Sequence, residues 1–168
     1  GSAAYAEVET MGFTPNATVT NAIDEQATVL TVGNGQDLDG VKLDTYAYLD
    51  NEIVAVKAVN LVAGAVTVDR GVLDTVPVPH LAAARIWFAD ALEALITEQY
   101  LSSETLQVKM LPATGLGRLT ESAATADSYT FAGRMIRPYP PGNVKVNNLM
   151  WPTVILGRIA LTWAHRDR

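Results

Sequence analysis

The chain contains no cysteine among its 168 residues. Disulfide bonds, thiolate metal ligands and cysteine nucleophiles are therefore excluded. The two histidines, His80 and His165, lie far apart in sequence, and there is no HxH or HExxH motif, so we predict no metal site. No run of 18 or more apolar residues occurs, so we also predict no membrane-spanning segment.

Charged residues are scarce, at 18% against 49% hydrophobic residues. This composition predicts a folded chain with a rather apolar surface, which favours assembly with other subunits or with copies of itself. The net charge of −6 and the absence of a dense basic stripe make nucleic acid a poor partner.

The few charges are also unevenly distributed. Residues 1–69 carry ten acids and two bases, whereas residues 129–168 carry six bases and one acid. The bases are Arg134, Arg137, Lys145, Arg158, Arg166 and Arg168. Two interpretations stay open: chance surface composition, or complementary ends that orient neighbouring subunits.

Short β-branched segments alternate with turn signals about every ten residues, a spacing typical of small barrels and sandwiches. We therefore predict an all-β fold of small β-barrel or sandwich modules, built from short antiparallel strands with at most one short helix. After the N-terminal strand, the predicted strands are 27–32, 46–49, 53–59, 65–69, 84–88, 105–111, 127–131, 144–147 and 159–163, of which 46–49 and 105–111 have the weaker patterns. A turn is expected at Gly33-Asn34-Gly35.

The chain is predicted to divide into four segments. Residues 1–26 form an N-terminal strand and loop, and residues 27–90 form a β-meander or barrel module. Residues 91–137 form a second β segment packed on that module, and residues 138–168 form a proline-rich linker followed by two strands. Residues 91–101 have helical spacing of apolar residues but strands on both sides, so a helix there stays open.

Proline marks two ordered connections. In 70–80 (RGVLDTVPVPH), two prolines one residue apart argue against a central strand, because each removes a backbone donor. We predict a structural loop whose residues are Arg70, Gly71, Leu73, Asp74, Thr75, Pro77 and His80. Arg70, Asp74 and His80 are expected to bond locally, and Val72, Leu73 and Val76 to cap the open end of a small barrel. The second connection is a stiff linker of Arg137, Pro138, Tyr139, Pro140, Pro141 and Gly142.

No residue set indicates catalysis or cofactor binding. Asp37, Asp39 and Asp44 superficially resemble a calcium loop, but the twelfth position is Tyr48 instead of the bidentate glutamate, which favours a solvated turn. The pair Asp50 and Glu52 could in principle serve glycoside cleavage, although paired carboxylates in short turns are usually just solvated. Further alternatives concern the tryptophans: Trp87, Trp151 and Trp163 could stack on sugars, but we predict core packing for Trp87 and Trp163.

Three groups of motifs occur in a distinctive order. They are NEIV at 51–54 with TVDRGVLDTVPVPH at 67–80, TLQVKMLP at 105–112 with IRPYPPGNV at 136–144, and LTWAHRDR at 161–168. This order resembles the hub, tip or baseplate-associated structural proteins of tailed phages and prophages. Residues 143–168 resemble the first two strands of a fibronectin type III-like domain, which implies a fragment ending at the start of that domain.

The resemblance implies a non-enzymatic structural component of a phage tail that acts through protein–protein assembly. It implies other tail subunits and further copies of the chain itself as partners, and no cofactor. The expected location is the virion, or the host cytoplasm when the chain is expressed from a prophage. The alternative is a carbohydrate-binding module that recognises a host-surface glycan, which requires two or more exposed aromatic side chains on one face.

Overall fold

The computed structural model describes residues 5–7, 12–89 and 98–164. The chain divides into two compact units, Gly1–Ile96 with Pro138–Arg168, and Thr97–Arg137. The described regular structure is almost entirely β, which confirms the predicted fold class. The possible helix at 91–101 lies mostly outside the described residues, and residues 98–101 have no regular structure.

Six strands of the first unit close into a barrel in the order β1-β2-β5-β4-β3-β6. All neighbouring strands are antiparallel. Their bounds are Asn16–Val19 (β1), Val29–Gln36 (β2), Tyr46–Leu49 (β3), Glu52–Asn60 (β4), Ala65–Asp69 (β5) and Arg85–Phe88 (β6). Closure pairs every strand on both sides, so the barrel has no open sheet edge.

The barrel interior is filled by aliphatic side chains and one phenylalanine. In β3 and β6, exposed and buried residues alternate strictly, as expected for strands with one face inward. The core consists of Ala17, Val19, Leu30, Val32, Ala47, Leu49, Val54, Val56, Val66, Val68, Ile86 and Phe88. Burial of each larger side chain contributes about 1.5–3 kcal/mol, so this cluster is the main source of stability.

The turn predicted at Gly33-Asn34-Gly35 is wrong, because β2 continues through these residues and pairs with β1. The register between the two strands shifts between Asn16 and Thr18, which marks a β-bulge. Asn34 lies at φ 50, in the left-handed region that asparagine tolerates better than most residues. The glycine and asparagine signal therefore accompanies an irregularity within a strand instead of a hairpin.

The second unit contains two small antiparallel sheets. Strands β7 (Thr105–Lys109) and β10 (Ala126–Thr130) pair over their whole length, and β8 (Ala113–Thr114) pairs with β9 (Gly117–Arg118). Beside the larger sheet, the rings of Tyr100 and Phe131 stack with centroids 4.6 Å apart. Aromatic packing thus supports a unit whose strands bury little of their own surface.

The last hairpin pairs β11 (Gly142–Val146) with β12 (Leu161–Ala164), and residues 147–160 connect the two strands. All four side chains of β12 are exposed, and Trp163 has 60% of its surface accessible. The prediction that Trp163 packs in a core is wrong, because no layer of described residues covers this strand. The predicted linker residues Pro138–Pro141 have no regular structure, and Gly142 begins β11.

Candidate functional site

A buried charge lies at the barrel end where β3 leads into β4. Glu52 is the first residue of β4 and pairs with Leu49, so its side chain shares the inward face with Val54. The Glu52 side chain has no accessible surface. An unpaired carboxylate in such a place would cost several kcal/mol, so the partners of Glu52 decide whether the barrel tolerates it.

Arg70 neutralises this carboxylate. It follows directly after β5, and its Nε and Nη2 each lie 2.8 Å from a different oxygen of Glu52. Nη2 also donates to the carbonyl of Val78 at 2.7 Å, and Nη1 donates to the carbonyls of Asp24 and Ala27, both at 2.9 Å. All five donors of the guanidinium are therefore used, which makes the pair a fully satisfied buried ion pair.

The same carboxylate also fixes the backbone of the loop after β5. The N–H of Gly71 donates to Oε1 at 2.7 Å, and the N–H of Val78 donates to Oε2 at 3.1 Å. Gly71 lies at φ 55, and a Cβ built on it would approach the backbone nitrogen of Pro77 to 2.7 Å. Only glycine fits there without a shift of the loop, because the position combines a left-handed backbone with a close neighbour.

His80 completes the cluster. Its Nε2 lies 3.0 Å from Glu52 Oε2, and its Nδ1 lies 2.8 Å from Asp50 Oδ2. A doubly protonated ring donates to both carboxylates, whereas a neutral ring donates to only one. The backbone of His80 exchanges two hydrogen bonds of 2.9 Å with Ile23. The four side chains Asp50, Glu52, Arg70 and His80 are called the barrel-end network below.

The network changes the acidity of Glu52. Burial acts to raise the pKa of this carboxyl, but hydrogen bonds from Arg70, His80 and the Val78 N–H, with the charge of Arg70, outweigh it. The pKa of Glu52 is lowered from its ordinary value of 4.5 as a result. The ionised carboxylate is thus the form that holds the loop in place.

The rest of the loop is held by backbone bonds. The N–H of Val72 donates to the Ile53 carbonyl at 2.9 Å, and the hydroxyl of Thr75 accepts from the Ile53 N–H at 3.1 Å. Leu73 lies at φ 54, a conformation that a branched residue adopts only when its surroundings enforce it. The predicted ordered loop is therefore pinned along its length to the start of β4.

The predicted roles of several loop residues need correction. Val76 is 52% exposed, and Val72 and Leu73 are half-buried outside the core cluster, so the expected apolar cap is wrong for Val76. Arg70 makes one bond within the loop, to the Val78 carbonyl, but the bonds of Arg70 and His80 to Glu52 reach 18 and 28 residues along the chain. A polar network occupies the barrel end, since Glu52 projects inward there and needs donors.

The side chains of the network bind one another. The described residues contain no group of three or more His, Asp or Glu side chains that could hold a metal ion. In the predicted calcium-like turn, Asp44 pairs with Nζ of Lys57 at 2.7 Å. The described part of the chain also contains no helix long and apolar enough to cross a membrane.

Three aromatic side chains lie on the outer face of the barrel. Tyr48 pairs directly with Trp87 across β3 and β6, and Tyr46 lies two residues along the same face. The guanidinium of Arg85 lies 5.3 Å from the ring of Trp87, and it donates to the side chain of Asn16. We call Tyr46, Tyr48 and Trp87 the aromatic strip.

The core packing predicted for Trp87 is wrong, because Trp87 is 41% exposed. Ile86 and Phe88 occupy the inward positions of β6, and the alternation of a strand then places Trp87 outside. The sequence segment RIWF does not show by itself which of its alternating pairs faces the core.

Sequence reasoning missed the barrel-end network. A usable signal was present: a glutamate opens the apolar strand IVAVKAV, and an arginine directly follows the apolar strand AVTVD. Charges at the ends of buried strands point to pairing across the sheet.

No protein-family model matches the chain, and no curated protein matches it in sequence, so its function has to be inferred from the residues and their geometry.

Proposed function

We propose that the chain is a non-enzymatic structural component of a phage tail, in the hub, tip or baseplate, that acts through protein–protein assembly. It is located in the virion, or in the host cytoplasm when it is expressed from a prophage. The order of the NEIV, RGVLDTVPVPH, RPYPPGNV and LTW motifs supports this function by resemblance.

The barrel-end network supports a structural role for the most distinctive of these motifs. Arg70 and His80 both hold the loop against Glu52. A loop fixed in this way is a rigid surface, and rigid surfaces lose little conformational entropy on binding. This favours a module that presents a fixed shape to neighbouring subunits.

The observation that carries the proposal is the apolar surface of the last hairpin and its connection. Between residues 144 and 163, ten large apolar side chains are exposed, namely Val144, Leu149, Met150, Trp151, Val154, Ile155, Leu156, Ile159, Leu161 and Trp163. So many exposed large apolar side chains within twenty residues are typical of interaction sites and uncommon on isolated monomers. The segment therefore fits a subunit that is covered by other chains.

The proposal is tested on tail particles purified from the source culture by density gradient. Quantitative mass spectrometry should find the chain at a fixed ratio to the other tail proteins, and immunogold labelling should place it at the distal end of the tail. Complete, infectious tails that lack the chain would refute the proposal. An antibody to a capsid protein provides the labelling control.

The aromatic strip favours a second function, carbohydrate binding for host-surface recognition. Tyr46, Tyr48 and Trp87 meet the requirement of several exposed aromatics on one face, and Arg85 adds hydrogen-bond donors at their edge. Aromatic faces pack against the apolar faces of sugar rings, while phenol and guanidinium groups bind hydroxyls.

A glycan array followed by titration calorimetry tests this second function. If a glycan binds on the strip, Trp87→Ala should weaken its affinity about tenfold or more, as expected for loss of an aromatic contact of roughly 1.4 kcal/mol. Tyr129→Ala is the matched control, because Tyr129 is exposed to a similar extent in the other unit. An array without hits, or equal losses in both variants, would exclude the strip as a glycan site.

A further inference from the structure

The bulge in β2 contains an asparagine followed by a glycine. Asn34 and Gly35 lie between Gly33 and Gln36, the two residues of β2 that pair with β1, whereas only one residue of β1 lies between their partners. Both Asn34 and Gly35 are exposed, and Asn34 lies at φ 50. A bulge disrupts the ladder of hydrogen bonds locally. The backbone of these two residues is therefore held less tightly than the paired residues on either side.

This pair of residues is chemically the most reactive of its kind in the chain. A side-chain amide can be attacked by the backbone nitrogen of the next residue, and glycine obstructs that approach least because it has no Cβ. Of the eight asparagines, only Asn34 precedes a glycine. Packing favours glycine here as well, since a Cβ on Gly35 would lie 2.5 Å from Cδ1 of Leu38, which is partly buried against the core. The reactive pair is thus part of the barrel wall.

We propose that Asn34 is a site of spontaneous modification, at which water converts the side-chain amide to a carboxylate. The backbone nitrogen of Gly35 loses its proton and bonds to Cγ of Asn34, and the Cγ–Nδ2 bond breaks to release ammonia, which takes up a proton. Water then opens the five-membered imide at either of its two carbonyl carbons. One opening gives aspartate, and the other gives isoaspartate, in which the main chain runs through the former side chain. The modification goes beyond the proposed assembly function and does not depend on it.

The modification changes the contact between β1 and β2. Nδ2 of Asn34 donates to the Thr18 hydroxyl at 3.2 Å, and that hydroxyl donates to the Gly33 carbonyl at 3.1 Å. An ionised carboxylate has no proton to donate, so the first bond is lost, and Thr18 can donate to the new group only by giving up Gly33. Isoaspartate also lengthens the main chain of β2 by one carbon where the strand pairs with β1. We therefore expect isoaspartate to weaken the barrel more than aspartate does.

Peptide mapping by mass spectrometry tests the reaction. The folded protein is incubated at neutral and at mildly alkaline pH, and conversion is followed at each asparagine. Asn34 should convert at least about tenfold faster than any other asparagine, which corresponds to a barrier lower by roughly 1.4 kcal/mol. The rate should rise with pH, because loss of the Gly35 proton precedes the attack. Asn16 is the matched internal control, since it is buried, pairs with both β2 and β6, and donates to the Thr14 carbonyl at 3.1 Å.

Two variants test the effect on the barrel. Asn34→Gly removes the amide and suits the left-handed backbone, whereas Asn34→Asp supplies the carboxylate without lengthening the main chain. The isoaspartate form, isolated by chromatography after incubation, should melt at least about 2 °C below freshly purified Asn34→Asp. Incubated Asn34→Gly should keep its melting temperature. Because this variant retains Asp39-Gly40, where an aspartate can form the same imide, it also controls for conversion there.

Three results would overturn the proposal. The first is folded protein in which Asn34 converts no faster than Asn16. The second is conversion of Asn34 in urea but not in the folded protein, which would assign the reaction to the unfolded chain instead of to the bulge. The third is an isoaspartate form that melts together with Asn34→Asp, which would exclude the expected effect of the longer main chain on the barrel.

Discussion

Removal of Arg70 is the most direct test of the barrel-end network. Arg70→Ala deletes two charge-assisted bonds to Glu52 and leaves that carboxylate buried with His80 and two backbone N–H groups. It also removes the donors to the carbonyls of Asp24, Ala27 and Val78. Breaking a buried ion pair by removing one partner typically costs about 3–5 kcal/mol. That is a large fraction of the roughly 5–15 kcal/mol that stabilises a typical domain.

The cost is measured by urea unfolding followed by circular dichroism, and by thermal melts. At about 2–4 °C per kcal/mol for a chain of this size, we expect the melting temperature to fall by roughly 6–20 °C. Lys57→Ala is the control, since it removes an exposed ion pair with Asp44 and should change the melt little. The double variant Glu52→Gln/Arg70→Met should recover part of the loss, because the neutral amide leaves no buried charge without a partner and its oxygen can still accept from a backbone N–H of the loop.

The reasoning would be refuted if Arg70→Ala melted within about 2 °C of wild type, which corresponds to less than about 1 kcal/mol. Failure of the double variant to recover stability would also count against it. In that case the loss would come from the shape of the arginine side chain or from its three carbonyl contacts, and not from the uncompensated charge of Glu52.

Two further predictions concern the same loop. Since the pKa of Glu52 is lowered in the folded state, the ionised carboxylate stabilises the fold above its ordinary pKa of 4.5, and this stabilisation is lost as the pH falls through the folded pKa. The melting temperature should therefore fall between pH 7 and pH 3, and it should fall less steeply in Glu52→Gln. Equal slopes in the two proteins would contradict the assignment to Glu52. Gly71→Ala should cost about 1–3 kcal/mol in urea unfolding, because Gly71 combines φ 55 with the close approach of Pro77. Gly115→Ala is its control, with no neighbour within 4 Å of the added Cβ, and equal midpoints for the two variants would exclude strain at Gly71.

The sequence was sufficient to predict strands whose alternating pattern and flanking turn residues both lie within the segment itself. Strands 46–49 and 65–69 were predicted with the observed bounds, because each alternates and is followed by residues that favour turns. The β1 strand at Asn16–Val19 was missed, since it is short, its first two residues Asn16 and Ala17 have weak strand preference, and it exists through pairing with β2 and β6. The bulge in β2 was predicted as a turn, because glycine and asparagine are common in bulges and in turns alike.

The candidate sites were less accessible from the sequence. The ordered character of 70–80 follows from Pro77 and Pro79, but its anchoring to Glu52 does not, because the carboxylate lies in another strand. Sequence reasoning treated Glu52 with Asp50 as a carboxylate pair in a short turn, and its position before the apolar strand 53–59 does not identify Arg70 and His80 as its partners.

By itself, the sequence determined an all-β chain of short antiparallel strands with an ordered proline-marked loop, because strand preference and turn chemistry act between near neighbours. Only the tertiary structure decided that the strands close into a barrel, that Glu52 points inward and is met by Arg70 and His80, and that Trp87 faces outward. A strand has two faces, and which one is buried depends on its partners. The barrel-end network and the aromatic strip are consequences of that choice.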